Sequence, residues 1–316
     1  MHNDCLYYIL SFLDVANINN TLLVNKQFYE IGSSQIIWRS FFIKEFHNVY
    51  CTINFREKYK KCYKLNNFLT IIHQNINDII NLKLLNLSGY NLVEFPLEID
   101  LLTNLQEIHG FNNNLRDIPI TIGNLSNLKT LILSYNSLDI LPQEIEQLIN
   151  LEKLDLSYNQ IIDIPREIRS LSKLQILILT ENNLSVLPQE IKYLSNLEEL
   201  YLSNNNFETI SLALCQLNKL QILSISYNKI KFIPPEIKYL TNLRNFTAYN
   251  NEINVIASEI GNLINLRTLN LSNNEIEMLP NEMGQLTSLQ ILSLHNNNID
   301  LIPESIIQLN IPQLFI

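Results

Sequence analysis

One spacing constrains this chain more than any other feature: leucine recurs every 23 residues over most of its length. The ten leucines are Leu82, Leu105, Leu128, Leu151, Leu174, Leu197, Leu220, Leu243, Leu266 and Leu289, and each marks position 1 of a repeat, numbered 1 to 10. A fixed period in this range is the signature of a solenoid, in which each repeat buries its apolar side against its neighbours. We therefore expect a stacked array rather than a fold around one central core.

The first half of each repeat predicts a short strand that runs into a bend. In repeat 3, Leu131 and Leu133 alternate with Ile132, which is the period of a strand with one buried face. Repeats 2 to 10 carry asparagine at position 9, whose short amide side chain can bond backbone groups in a bend. Stacking should therefore align these asparagines as a ladder.

The second half of each repeat predicts a return segment. A proline follows an apolar residue at Pro96, Pro119, Pro142, Pro165, Pro188, Pro234, Pro280 and Pro303. Proline fixes φ at a point where no backbone donor is needed. Ile145 and Leu148, three residues apart, then turn one helical or 3₁₀ face inward.

The complete unit, LxxLxLxxNxLxxLPxxIxxL, resembles the leucine-rich repeat family. The resemblance implies an α/β solenoid, a horseshoe whose concave side is a parallel sheet. It covers residues 82–316 as ten repeats and a partial eleventh strand near Leu314.

The residues before this array form a different object, because the period is absent there and every proline lies at or after Pro96. Asp4 can cap a helix in which Leu6, Ile9, Leu10 and Leu13 share one face. Residues 1–45 are therefore predicted to be a small all-α module. Residues 46–81 read as a mostly helical connector that covers the open end of the stacked core.

Three sequence words in this module, CLYYILSFLD, LLVNKQFYEI and IIWRSFF, are similar in order and spacing to the F-box family. Met1 and His2 stand where that family has a Leu-Pro pair. The resemblance implies docking onto a Skp1-like adaptor of a cullin ubiquitin ligase. The adaptor-binding residues it assigns are Leu6, Ile9, Leu10, Leu13 and Val24, with Trp38 supporting the packing. The alternative is that these apolar residues only form the core of a helical cap.

The solvent-facing strand positions, numbered 3, 5, 7 and 8 in each repeat, are the candidate partner-binding face. Several carry larger or more apolar side chains than solvent requires, as binding anchors do. The predicted set is His109, Phe111, Ile132, Tyr135, Lys153, Asp155, Tyr158, Ile178, Glu181, Glu199, Tyr201, Tyr227, Tyr249 and His295. The alternative for Tyr135, Tyr158 and Tyr227 is a structural wall between repeats.

Two repeats break the core pattern in the same way. Position 6 holds Gly110 and Ala248 where other repeats have leucine or isoleucine, and the next residues are Phe111 and Tyr249. Either the strand is locally shifted, or the aromatic ring turns partly inward to fill the void. These repeats are predicted to be specialised for binding.

Charge and composition exclude several function classes. Residues 81–316 carry 14 Lys and Arg against 25 Asp and Glu, so the array is acidic and is not expected to bind the negatively charged backbone of a nucleic acid. The four cysteines form no C-x-x-C pair, and His109 and His295 are too far apart for a metal site. No apolar stretch is long enough to span a membrane, and no secretory signal is visible, so a cytoplasmic protein is expected.

No catalytic or cofactor motif is present, and Cys215, predicted to face outward or sideways, has no histidine near it. We therefore expect a non-catalytic protein that binds other proteins and needs no cofactor. The interpretation favoured by the F-box resemblance is a substrate-recognition subunit of a cullin ubiquitin ligase. The alternative is an intracellular leucine-rich repeat scaffold with no link to ubiquitin.

Overall fold

The computed structural model describes residues 35–47, 49, 54–71 and 74–316. The predicted adaptor-binding residues Leu6, Ile9, Leu10, Leu13 and Val24 lie outside these residues. The chain divides into two compact units, one comprising residues up to Leu82 together with Pro96–Asn104, and the other Lys83–Phe95 with Leu105–Ile316.

The first compact unit is built around a cluster of aromatic rings. Its helices are α1 (Gln35–Glu45), α2 (Phe55–Ile71) and α3 (Ile76–Ile79), with a 3₁₀ helix at Leu97–Leu101. Trp38 is fully buried, and its ring centroid lies 5.4 Å from that of Tyr59. Phe46 meets Tyr59 edge-on at 5.2 Å. These rings lock α1 against α2, since buried aromatic pairs favour such geometries.

The second compact unit is a stack of short parallel strands, as predicted. The strands are β1 (Leu84–Asn86), β2 (Glu107–His109), β3 (Thr130–Ile132), β4 (Lys153–Asp155), β5 (Ile176–Ile178), β6 (Glu199–Tyr201), β7 (Ile222–Ser224), β8 (Phe232–Ile233), β9 (Asn245–Thr247), β10 (Val255–Ile256), β11 (Thr268–Asn270), β12 (Ile291–Ser293) and β13 (Gln313–Phe315). Eleven of them form one sheet, with the partial eleventh repeat supplying β13. The remaining two, β8 and β10, pair in a small second sheet.

The return segments are 3₁₀ helices that mostly begin after the predicted prolines. They span Ile120–Asn124, Gln143–Gln147, Arg166–Ser170, Gln189–Tyr193, Leu214–Gln216, Pro235–Tyr239, Ser258–Asn262 and Asn281–Gln285, followed by α4 (Glu304–Ile307). Pro142 caps its helix with φ of −69°, and Ile145 and Leu148 are fully buried behind it. The core of the array therefore lies between the sheet and this layer of returns.

The asparagine ladder is present and satisfies the bend of each repeat. Asn159 donates through Nδ2 to the carbonyl of Leu156 in its own repeat and that of Leu133 in the preceding one, both at 3.0 Å. Its Oδ1 accepts from the backbone N–H of Leu138 at 3.0 Å. Each ladder side chain thus joins two repeats in a buried or half-buried setting, where unmade hydrogen bonds are costly.

Both explanations offered for the small core residue are wrong at Gly110. The register is continuous, because Ile108 pairs with Leu131 in the common 23-residue register, and Phe111 is 43% exposed rather than turned inward. The space beside Gly110 is taken by Leu133 of the next repeat, whose Cδ2 would lie 2.9 Å from an added Cβ.

At the second small residue, Ala248, a larger side chain in the same repeat makes up the missing volume. Beside Ala248, position 4 holds a fully buried Phe246 in place of the usual leucine. Volume therefore moves between neighbouring core positions, and the density of the interior is kept.

Repeat 6 departs from the common return. Ser211 stands where most repeats have proline, and the 3₁₀ helix is shortened to Leu214–Gln216. A cavity of about 460 Å³ opens there, bounded by Leu187, Phe207 and Phe232 among others. Cys215 on this return was predicted to face outward or sideways, and the outward alternative is wrong: the side chain is fully buried, and burial raises the pKa of its thiol to about 12. A thiol in such a setting is inert.

Candidate protein-binding face

The strand face, defined as the side chains at positions 3, 5, 7 and 8 of each repeat, lies opposite the buried side of the 11-stranded sheet. All fourteen predicted residues are half-buried or exposed. Seven of them lie on the strands themselves: His109, Ile132, Lys153, Asp155, Ile178, Glu199 and Tyr201. The other seven follow at the C-terminal ends of the strands: Phe111, Tyr135, Tyr158, Glu181, Tyr227, Tyr249 and His295. The last group forms a rim along one edge of the sheet.

Position 8 of each repeat adopts a left-handed backbone. Six repeats place glycine or asparagine there, at Gly89, Asn112, Asn204, Asn250, Asn273 and Asn296. The other four hold bulkier residues with φ near 55°, at Tyr135, Tyr158, Glu181 and Tyr227. A left-handed conformation costs such residues about 1 kcal/mol or more, whereas glycine and asparagine adopt it readily. Residues that carry backbone strain of this kind gather at binding sites.

Tyr135 and Tyr158 form a stacked pair on this rim. Their ring centroids are 4.0 Å apart and their planes differ by 8°. Both rings remain substantially exposed, at 52% and 41%. The side-chain hydrogen bond with Tyr135 raises the pKa of Tyr158, and the carboxylate of Glu181 adds to the shift.

The free face of the Tyr158 ring is directed towards repeat 5. Neighbouring parallel strands are about 4.8 Å apart, and the two ring centroids are 4.0 Å apart. The ring planes are therefore roughly perpendicular to the axis along which the repeats stack. Tyr135 covers one face of Tyr158, and Glu181 is the equivalent residue on the other side. An aromatic face beside a carboxylate attracts a cation, because the ring quadrupole and the full charge act together.

A second aromatic group lies further along the same rim. Tyr227 meets Tyr249 edge-on, with ring centroids 5.2 Å apart. Tyr227 is the third tyrosine with a left-handed backbone. Tyrosine rings supply large contact area at low cost in side-chain entropy, which makes them common anchors in protein interfaces.

The middle of the strand face is polar and partly self-paired. Asp155 Oδ1 accepts from the hydroxyl of Ser157 at 2.7 Å. The Tyr201 hydroxyl donates to Glu199 Oε2 at 2.8 Å. Burial is the main cause that raises the pKa of Tyr201 to about 12, and the Glu199 carboxylate adds to the shift. His109 Nε2 lies 3.4 Å from Glu107 Oε2. These contacts hold the polar groups in defined positions between the aromatic ones.

The described residues contain no cluster of His, Cys, Asp and Glu that could hold a metal ion. His109 and His295 are separated by eight repeats. The face therefore offers aromatic surface and fixed charges, which suit recognition of another molecule.

None of the helices in the described part of the chain combines the length and apolar character that a membrane span requires.

Trp38, assigned to the adaptor site with a packing role, is buried among the rings of the first compact unit. Sequence reasoning also missed two features of the array. It overlooked the left-handed position, although the asparagines and glycine at position 8 of six repeats were a visible signal. It also overlooked Arg244 and Arg267, which share position 2 of successive repeats.

Comparison with known proteins agrees with the architecture. The chain matches the family described as Leucine-rich repeat region over residues 121–231 and 247–315. The structure of a leucine-rich repeat protein from Leptospira interrogans is 31% identical, with a TM-score of 0.51, over 75% of this chain and 78% of that one. A comparison with curated proteins gave no match.

Two plant receptors are also similar. One is the ectodomain of the Arabidopsis thaliana membrane receptor kinase GASSHO1/SCHENGEN3 in complex with CASPARIAN STRIP INTEGRITY FACTOR 2, which is 31% identical with a TM-score of 0.62 and covers 70% of this chain. The other is the plant peptide hormone receptor RGFR1 in complex with RGF2, at 28% identity, a TM-score of 0.58 and 72% coverage. This chain spans only 28% and 42% of those two receptor chains.

Proposed function

The chain belongs to the leucine-rich repeat family, and from that premise we propose that its strand face binds another polypeptide without catalysing a reaction. The receptors to which it is similar were solved in complex with RGF2 and with CASPARIAN STRIP INTEGRITY FACTOR 2. The proposed contact residues are the fourteen of the strand face. No cofactor or nucleic acid enters the proposal.

The observation that carries this proposal is the run of three strained residues at Tyr135, Tyr158 and Glu181. Each has a left-handed backbone that asparagine would adopt at lower cost. The backbone conformation therefore disfavours these residue types at position 8, and binding supplies a reason for them. The stacked rings and the adjacent carboxylate suit the guanidinium or ammonium group of a basic side chain. The partner segment should therefore place an arginine or lysine here.

Quantitative capture with the full chain as bait tests this proposal. Tyr135→Ala with Tyr158→Ala removes the stacked rings and should deplete a defined set of partners at least about tenfold. Tyr193→Ala with Tyr239→Ala is a matched control, since both tyrosines are 54% exposed and lie on return segments. Equal depletion by both pairs, or by neither, would contradict a binding role for the strand face.

A finer proposal concerns the module at residues 1–45. We propose that it docks a Skp1-like adaptor, so that the chain presents bound proteins to a cullin ubiquitin ligase in the cytoplasm. The support is the three F-box-like words and the shared apolar face of Leu6, Ile9, Leu10 and Leu13. The competing proposal is a scaffold in which the same residues only cap the array.

Binding of a purified Skp1-type adaptor to the full chain separates the two. Leu10→Asp places a charge on the predicted contact and should abolish binding. Ile120→Asp, at an exposed apolar position on a return segment, should leave it intact. Absence of adaptor binding by the unaltered chain would leave the scaffold proposal standing alone.

A further inference from the structure

Position 2 of the repeats forms a column along the N-terminal ends of the strands, and three of the charged residues in it have a partner in a neighbouring repeat. Lys129 pairs with Glu152 of the next repeat at 3.2 Å. Glu198 accepts from Gln221 Nε2 of the next repeat at 2.9 Å. Neighbouring repeats thus place complementary groups side by side, which is the arrangement that stabilises adjacent strands.

Arg244 and Arg267 break this rule. They occupy position 2 of repeats 8 and 9, and the backbone N–H of Arg267 donates to the carbonyl of Arg244 at 2.8 Å. Both side chains are exposed, and within the described residues neither guanidinium forms an ion pair with a carboxylate. Two like charges on adjacent strands are unfavourable, so an anion bound between them would relieve a repulsion that is already present.

The two arginines line a notch of about 260 Å³ on the same edge, together with Glu198, Glu199, Gln221, Ile222 and Asn245. Both acids in the notch already have donors, Glu198 from Gln221 and Glu199 from the Tyr201 hydroxyl. Within the described residues, the two guanidinium groups are therefore the charged groups of the notch that form neither a hydrogen bond nor an ion pair. Guanidinium groups recognise carboxylates through paired, charge-assisted hydrogen bonds.

We infer that Arg244 and Arg267 form a carboxylate-binding site that takes an aspartate or glutamate side chain of the bound polypeptide. The inference rests on the proposed function only in assigning the carboxylate to a polypeptide. The site lies at the opposite edge of the sheet from the tyrosine rim, on repeats that the rim cluster at Tyr158 does not reach. It therefore adds an acidic residue to the description of the partner.

Titration of the isotopically labelled full chain with N-acetylated, amidated tetraglutamate tests the site without any natural partner. The arginine Nε–Hε resonances of Arg244 and Arg267, identified by their loss in Arg244→Gln and Arg267→Gln, should shift saturably at low ionic strength. The double variant should weaken tetraglutamate binding at least about tenfold, the size expected for lost charge-assisted bonds. Inorganic phosphate, added as a separate arm, should shift these resonances more weakly than tetraglutamate does, since it offers a single anionic group.

The matched control is Arg116→Gln with Arg169→Gln, which removes the same charge from two exposed arginines in separate repeats. This control should bind tetraglutamate as the unaltered chain does. Equal weakening in both double variants, shifts spread over all arginines, or saturation by phosphate alone would overturn the site. If tetraglutamate binds as expected while capture by the tyrosine rim fails, the strand-face proposal falls and this site remains.

Discussion

At the scale of single residues, each ladder asparagine stabilises its repeat through hydrogen bonds from one side chain to several backbone groups. Asn182 is buried and bonds the carbonyls of Leu156 and Leu179, while its Oδ1 accepts from the N–H of Ile161. Asn182→Ala should lower the free energy of unfolding by about 2–4 kcal/mol, because three buried backbone groups lose partners. The adjacent Asn183 is exposed and makes one 3.3 Å bond, so Asn183→Ala should cost less than about 1 kcal/mol. Urea unfolding compares them, and equal losses would contradict the ladder.

Glu181 gives the sharpest test of the strained position. Its backbone has φ of 56°, and it lacks the ring stacking that complicates changes at the tyrosines. Glu181→Asn should raise the free energy of unfolding by about 1 kcal/mol, since asparagine tolerates this conformation. Glu275→Asn removes the same charge at an exposed position with ordinary φ and should stay within about 0.5 kcal/mol. Destabilisation by Glu181→Asn in thermal or urea unfolding would show that the residue serves the fold.

At the scale of elements, the close approach of neighbouring return segments depends on small residues. A Cβ added at Gly261 would lie 2.3 Å from the carbonyl oxygen of Glu282, which is backbone of the next 3₁₀ helix. Gly261→Ala should therefore cost about 2–3 kcal/mol. Gly110→Ala meets only the movable end of Leu133 and should cost about 1 kcal/mol or less. Chemical denaturation that ranks the two in reverse would contradict this account of packing between repeats.

The same elements show what the sequence could predict. The 23-residue period was enough for the parallel strands, the ladder and the proline-led returns, because each depends on a local pattern that ten copies reinforce. The packing beside Gly110 could not be predicted, because the side chain that fills the space is Leu133 of another repeat, and no local pattern reveals that contact. Likewise, Arg244 and Arg267 become neighbours only when the repeats are stacked in register. The strand face was thus predicted from the sequence, charged residues included, whereas the arginine pair was found only in the structure.

At the scale of the whole array, the two proposed anchors define a distance in the partner. The cationic side chain would sit at repeats 4 and 5, beside Tyr158 and Glu181, and the carboxylate at repeats 8 and 9, between Arg244 and Arg267. Four steps of the parallel sheet span about 19 Å along the stack, and the six residues between positions 2 and 8 add about 20 Å across it, so the anchors are about 28 Å apart. Extended chain covers about 3.3 Å per residue, so peptides on a scanning array should bind best when a basic and an acidic residue are at least about eight positions apart. Strong binding that ignores this separation would contradict the pairing of anchors.

Site-specific photo-crosslinking shows whether the strand face holds a polypeptide. A photoreactive phenylalanine analogue replaces Tyr158 on the rim or Tyr239 on a return segment in the full chain. We expect polypeptide adducts from position 158 that are at least about tenfold more abundant than those from position 239. Adducts of equal abundance at both positions, or adducts confined to position 239, would contradict this expectation.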